Sequence, residues 1–135
     1  MALSIEIDYF KLYKYKYGYL RGDDCLRQVS RAITAGMVRA TDMLARFGGQ
    51  EFVLLLPETG LDGALVFAEK MRKRINNLAL PNNYSTVADH VTASFGVVGA
   101  RDASDHLVRD IIEQANKQLH AAKANGRDRV WAQAV

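Results

Sequence analysis

The sequence predicts an α+β domain, a mixed central sheet covered by helices, and three observations carry that prediction. Gly48 and Gly49 separate the apolar runs "MLARF" and "EFVLLLP". A Gly-Gly pair between apolar runs signals a hairpin, because the tight turns that suit twisted strands need positive φ at the tip. Apolar residues recur at helical spacing in two long segments, Leu65, Ala68, Met71, Ile75 and then Ile111, Ala115, Leu119, Ala122. Between these two segments lies "VTASFGVV", which alternates small and apolar residues as a strand does. This alternation of periods is expected to place helices over one face of a sheet. At 135 residues the chain reads as a single domain, residues 1–135, long enough for a hydrophobic core.

In chain order, "ALSIEID" is a strand with Leu3, Ile5 and Ile7 on one face and a carboxylate end at Glu6 and Asp8. Asp23 is placed as the N-cap of a helix whose apolar face is Leu26, Val29 and Ile33. The hairpin follows. Asp62 is placed to cap the next helix, "NNLALPNNYSTVAD" is a loop by composition, and "VTASFGVV" is a strand. The segment "DHLVRDIIEQANKQLHAAKANG" is a helix closed by Asn125-Gly126, and "RDRVWAQAV" is a last strand. The stretch "YFKLYKYKYGY" fits none of these: tyrosine and lysine alternate from Tyr13 to Tyr17 as in a strand. Such a segment either stacks bases and holds phosphates or sets a solvated lysine face over half-buried tyrosines.

Composition is that of a globular protein, 49% hydrophobic and 24% charged. No apolar run approaches the roughly 20 residues needed to cross a bilayer. No charged region leads into an apolar stretch at the N-terminus, so neither a signal peptide nor membrane contact is expected. Cys25 is the single cysteine. It excludes an internal disulfide, fits a reducing compartment, and gives cytoplasmic as the expected location. His90, His106 and His120 have no ligand-like spacing. A net charge of +3 favours an anionic ligand such as a nucleotide or nucleic acid.

Side-chain chemistry narrows the choice. Glu6 or Asp8 ends the first strand, and Gln50-Glu51 follows a turn that can pair beside it. Acidic residues converging from adjacent strands can hold Mg²⁺ together with substrate phosphate oxygens. Lys11, Lys123 and Arg127 offer cations for phosphates, an assortment suited to phosphoryl or nucleotidyl transfer.

The pieces "IEIDYFK", "YGYLRGDDCLRQV", "RATDMLARFGGQEFVLLLP", "AEKMR", "VTASFGVV" and "ANKQLHAAKANGRDRV" resemble, in order and over essentially the whole chain, a GGDEF domain. This is the catalytic domain of diguanylate cyclases, which join two GTP molecules into cyclic di-GMP. The resemblance implies a ferredoxin-like palm of the adenylyl-cyclase and polymerase type. It makes Gly48-Gly49-Gln50-Glu51-Phe52 the signature hairpin, with Gln50 and Glu51 at the catalytic positions. Gln50, Glu6 and the Ile7 carbonyl fall at the metal positions, for Mg²⁺ or Mn²⁺ in an active enzyme. Phe10, Lys11, Lys123 and Arg127 match phosphate-contacting positions, and Gly48 and Gly49 let a nucleotide lie against the hairpin. Asp23 matches the aspartate that reads guanine; Lys14 stands where the family has a guanine-binding asparagine, and Tyr19 where a histidine usually follows glycine. Arg39 and Asp42 fit the RxxD motif of the inhibitory product site, with Lys70 near a further assisting position; a plain surface ion pair is the other reading of Arg39 and Asp42.

The departures cluster. Gln50 puts a neutral amide where the family has a carboxylate, and an amide cannot accept a proton at neutral pH. Glu6 is one methylene longer than the usual aspartate, and Lys14 is a donor-only cation. Asn116 and His120 replace the usual Asp and Tyr of the last helix, a packing matter. The helix and DxLT segment that usually precede the domain are missing from the sequence. The leading expectation is a degenerate GGDEF domain with little or no cyclase activity, binding cyclic di-GMP through Arg39 and Asp42. It would act as a homodimer or by pairing with another GGDEF domain. The alternatives are an active Mg²⁺-dependent cyclase working as a homodimer, with Glu6, Asp8 and Glu51 holding the metal, and, least favoured, a basic nucleic-acid-binding module.

Overall fold

A computed structural model describes residues 1–37, 39–47, 49–99 and 108–134. The elements run β1 (Ala2–Ile7), α1 (Phe10–Tyr17), α2 (Tyr19–Gly36), β2 (Met43–Phe47), β3 (Glu51–Leu55), α3 (Leu61–Asn77), β4 (Ala93–Gly99), α4 (Val108–Ala124) and β5 (Val130–Ala134). The five strands form one sheet in the order β2-β3-β1-β4-β5. β1 lies at its centre, antiparallel to both β3 and β4, while β4 and β5 are parallel. The expected mixed sheet and hairpin are both present.

Helices cover both faces of the sheet, rather than one. Leu3, Ile5 and Ile7 pack with Val29 and Ile33 of α2 and with Ala64, Ala68, Met71 and Ile75 of α3. On the opposite face Ala2 and Val98 pack with Ala115 of α4, flanked by Leu55 and Ile111. β1 is therefore buried on both sides, and the serine at its middle, Ser4, has no exposed surface. Each fully buried Leu or Ile contributes about 1.5–3 kcal/mol through removal from water. The apolar faces expected for α3 and α4 hold at Ala68, Met71, Ile75, Ala115, Leu119 and Ala122, which are buried.

Three local expectations are corrected. The tyrosine–lysine stretch is a helix, α1, because Phe10, Tyr13 and Tyr17 recur on one helical face; Phe10 and Tyr13 are buried and Tyr15 points to solvent at 81% exposure. Tyr13 and Tyr17 pack tilted at 4.8 Å between centroids, and Tyr84 meets Tyr17 edge-on at 5.5 Å. Asp23 is inside α2, which starts four residues earlier at Tyr19 after Gly18, whose φ of 92° breaks the chain from α1. Asp62 sits in the first turn of α3 behind its N-cap, Gly60, and makes no capping hydrogen bond. Its charge there still favours the helix macrodipole. The end of α4 is as expected: the Arg127 N–H donates to the Ala122 carbonyl at 3.0 Å and Gly126 takes φ 127°. Residues 105–107, placed at the start of that helix by sequence and including His106, lie outside the described residues.

Candidate functional site

The site lies where the carboxyl end of β1 meets the β2–β3 hairpin. Phe47 pairs with Glu51, so the loop is three residues, 48–50, rather than the two glycines alone. Gly49 has φ 93° with nothing within 4 Å of a β-carbon, so its backbone conformation, not space, requires glycine. Gly48 lies outside the described residues. The register sets Glu51 directly across from Glu6.

Every carboxylate near this end of the sheet already has protein partners. Gln50 Nε2 donates to Glu6 Oε1 at 3.1 Å, and Lys123 Nζ lies 2.9 Å from the same oxygen. Because a carboxylate only accepts, the nitrogen end of the Gln50 amide must be the one facing it. Ser4 Oγ donates to Glu51 Oε1 at 2.9 Å and also contacts the side-chain amide of Asn116. Asn116 was expected to be a packing residue; it instead ties α4 to Glu51 through Ser4. Asp8 is 1% exposed and accepts from Thr92 Oγ1 (2.8 Å), Ser94 Oγ (2.6 Å) and the Asp128 N–H (3.0 Å). Burial pushes its carboxyl above the ordinary range, and those hydrogen bonds oppose the shift. Asp8 therefore joins β1 to β4 and to the loop after α4, and does not converge with Glu6 as the metal-holding alternative required.

This donor set does not fit a preformed divalent-cation site. Among the described residues no three His, Cys, Asp or Glu side chains come together as metal ligands. Glu6 is the carboxylate that Gln50 contacts, and its Oε1 faces an amide NH₂ and an ammonium. The expected metal positions Glu6 and Gln50 are thus brought together, with Ile7 in the strand beside them, but in a hydrogen-bonded arrangement.

A phosphate corner adjoins it. Tyr9, with φ 55°, caps α1 without a side-chain hydrogen bond, leaving the first N–H groups of α1 to other partners. The Phe10 side chain is 2% exposed and serves the core, so only its backbone can contact a ligand; Lys11 is exposed. A cleft of about 560 Å³ lies between Tyr9, Lys123, Arg127 and Arg129. The Arg127 guanidinium sits 4.5 Å from the Tyr9 ring centroid, and its Nε is buried without a hydrogen-bond partner. Arg127 and Asp128 both hold positive φ, 61° and 46°, a strained pair for residues with side chains. Asp128 is fixed by Arg72 Nη1 (3.0 Å) and Asn76 Nδ2 (2.9 Å) of α3. Sequence reasoning missed that Arg72, Asn76 and Asp8 hold Asp128, the neighbour of Arg127 in this turn, since no local pattern signals a contact over such separations.

At the guanine positions, Asp23 is exposed and lines a cleft of about 570 Å³ between α2 and the hairpin, floored by Leu26, Leu44 and Phe52. Arg27, Arg31 and Arg46 rim it; their spacing of four and eight residues from Asp23 along α2 was the unused signal for the first two. Lys14 does not line that cleft; its stem rests on Gly22, next to Asp23, and its ammonium stands 5.3 Å from the Tyr19 ring and 5.9 Å from the Phe10 ring.

The product-site residues occupy the turn before β2. The Asp42 N–H donates to the Arg39 carbonyl at 3.1 Å, closing the turn. The two side chains do not pair with each other. Arg39 donates to the Glu58 carbonyl, with the Glu58 carboxylate at 3.9 Å, and Asp42 Oδ1 is buried without a partner. Lys70 is exposed on α3 between Phe67, which approaches Gly36 of α2, and Arg74, which bonds the Ala32 carbonyl.

The family description "Diguanylate cyclase, GGDEF domain" matches residues 1–129. Diguanylate cyclase A of Treponema denticola is 35% identical over 128 residues, 95% of this chain and 33% of that protein. The chain thus spans about a third of that relative's length. The active GGEEF domain of a diguanylate cyclase from Vibrio cholerae superposes with a TM-score of 0.81 at 28% identity, over 97% of this chain and 80% of that one. The GGDEF domain of DgcB from Caulobacter crescentus, solved with c-di-GMP, gives 0.82 at 28% identity, over 97% and 75%.

Proposed function

The chain belongs to the GGDEF family of diguanylate cyclase domains, and on that premise we propose that it is a degenerate member that binds cyclic di-GMP and makes little or none. The observation that carries this is the Gln50 amide donating to Glu6 where the family has an acidic residue. An amide with its NH₂ committed to a carboxylate can neither take a proton from a 3′-hydroxyl nor add charge to a metal site. Guanine recognition differs as well, because Lys14, a donor-only cation packed on Gly22 beside Asp23, stands where the family has an asparagine.

The turn carrying Arg39 and Asp42 supports ligand binding at the product site. Asp42 Oδ1 is a buried acceptor without a hydrogen-bond donor, with the Met1 ammonium as an interacting charge. A guanine edge is a donor of the right kind. Arg39, nearly half exposed, can leave Glu58 for a phosphate or base at small cost. Lys70 would add a cation from α3. Pairing with a second GGDEF domain, GTP as the other ligand and a cytoplasmic location belong to the same reading; among the described residues no helix is long and apolar enough to cross a membrane.

Two measurements test it. Incubation with GTP and Mg²⁺ or Mn²⁺ is expected to yield no appreciable cyclic di-GMP, and clear turnover would establish the active-cyclase reading instead. Titration of cyclic di-GMP into the wild type and Arg39→Ala is expected to show at least tenfold weaker binding by the variant. Equal affinity rules out the product site.

A further inference from the structure

We infer that the nucleotide site takes the triphosphate of a guanine nucleotide without a divalent cation, the Lys123 ammonium supplying the positive charge beside Glu6. This rests on family membership and is independent of the product-site reading. A divalent cation at this place needs carboxylate oxygens that are free to coordinate. Here Glu6 Oε1 already receives Lys123 Nζ at 2.9 Å and Gln50 Nε2 at 3.1 Å. Glu51 is held by Ser4, and Asp8 is buried with hydrogen bonds from Thr92, Ser94 and Asp128. A metal approaching the other oxygen of Glu6 would stand beside the Lys123 ammonium, and the Gln50 amide would have to turn end for end to offer its oxygen.

Those same residues leave a site suited to phosphates alone. Lys123 sits in the last turn of α4, at the junction between Glu6 and the cleft lined by Tyr9, Arg127 and Arg129. One ammonium can bridge the Glu6 carboxylate and a phosphate oxygen, since it carries three donors. Arg127 brings a guanidinium whose buried Nε has no partner, held over Tyr9 by the strained, anchored turn at Arg127 and Asp128. Lys123, Arg127, Arg129 and the free N–H groups of α1 together can neutralise phosphate oxygens without a metal. Gln50 contributes by replacing a negative charge that would otherwise repel them.

The experiment is calorimetric titration of GTP into the purified chain, once in EDTA and once in excess Mg²⁺. We expect the two dissociation constants to agree within about twofold. Tightening of tenfold or more with Mg²⁺, or no GTP binding in either buffer, overturns the inference. Gln50→Glu should become Mg²⁺-dependent, binding GTP more weakly in EDTA and recovering with Mg²⁺; a Gln50→Glu variant as indifferent to Mg²⁺ as the wild type also overturns it. Lys123→Met should lose at least tenfold in EDTA, and unchanged affinity counts against the role given to Lys123. Thermal midpoints of both variants confirm that they are folded. Mn²⁺ alone, followed by its paramagnetic resonance signal, should remain free with wild type and become partly bound with Gln50→Glu. Cyclic di-GMP titrations run in parallel separate the two readings, since metal-free GTP binding stands or falls whatever happens at Arg39.

Discussion

A β-carbon on Gly96 of β4 would stand 2.2 Å from the Ala115 carbonyl oxygen of α4, a separation that no real side chain tolerates. The absence of a side chain at Gly96 lets α4 lie directly on the sheet, and α4 carries both Asn116 and Lys123 to the site. Gly96→Ala must push that backbone outward. We expect a loss of about 3 kcal/mol in urea unfolding, together with weaker binding of GTP. A change within experimental error would mean that α4 is not seated as described.

The pair of Glu69 and Arg72 gives a pH signature. The hydrogen bond from Arg72 holds the Glu69 carboxyl below its ordinary value, against a smaller opposing effect of burial. A carboxyl depressed in the folded state contributes stability above its unfolded pKa of 4.5 and loses it as pH falls through the folded value. Glu69 is 43% exposed, so solvent screening keeps the contribution below about 1 kcal/mol. The urea midpoint of the wild type should exceed that of Glu69→Gln at pH 7, with the gap closing progressively below pH 4.5. A gap that widens in acid would contradict the assignment.

Cys25 should be chemically silent in the native protein. It is 1% exposed, and burial together with the neighbouring Asp24 charge pushes its thiol up to about 12. The thiolate is the reactive form. Reaction with a disulfide reagent at pH 8 should therefore follow the urea unfolding curve, with negligible labelling before the transition. Rapid labelling of the folded chain would show that α2 opens locally.

Gln50→Glu tests the main chemical departure. A carboxylate there restores a proton acceptor beside Glu6, and general-base catalysis is worth about 10²–10⁴ in rate. Cyclic di-GMP formation from GTP and Mg²⁺ should rise by about a hundredfold over the wild type. An unchanged rate would move the deficiency to Lys14, the donor-only cation at the guanine-binding position.

The sequence by itself determined the hairpin, the strand at "VTASFGVV", the apolar stripes of α3 and α4, and the family. These are readable because backbone period and turn chemistry are local properties of consecutive residues. It left α1 unassigned, because alternating Tyr and Lys satisfies a strand period while Phe10, Tyr13 and Tyr17 also satisfy a helical one; burial chose the helix. Strand alternation could not show that β1 is covered on both faces, because that depends on where α4 packs, and Gly96 permits it from far along the chain. The site divides in the same way. The hairpin glycines, Gln50, Arg39 and Asp42 were visible as residues, but only the tertiary structure decided what their side chains meet. Register put Glu6 opposite Glu51, α4 brought Lys123 to Glu6, and the turn after α4 was fastened by Asp8, Arg72 and Asn76. Such contacts join residues remote in sequence, and their energies depend on distance and burial, which no spacing along the chain records.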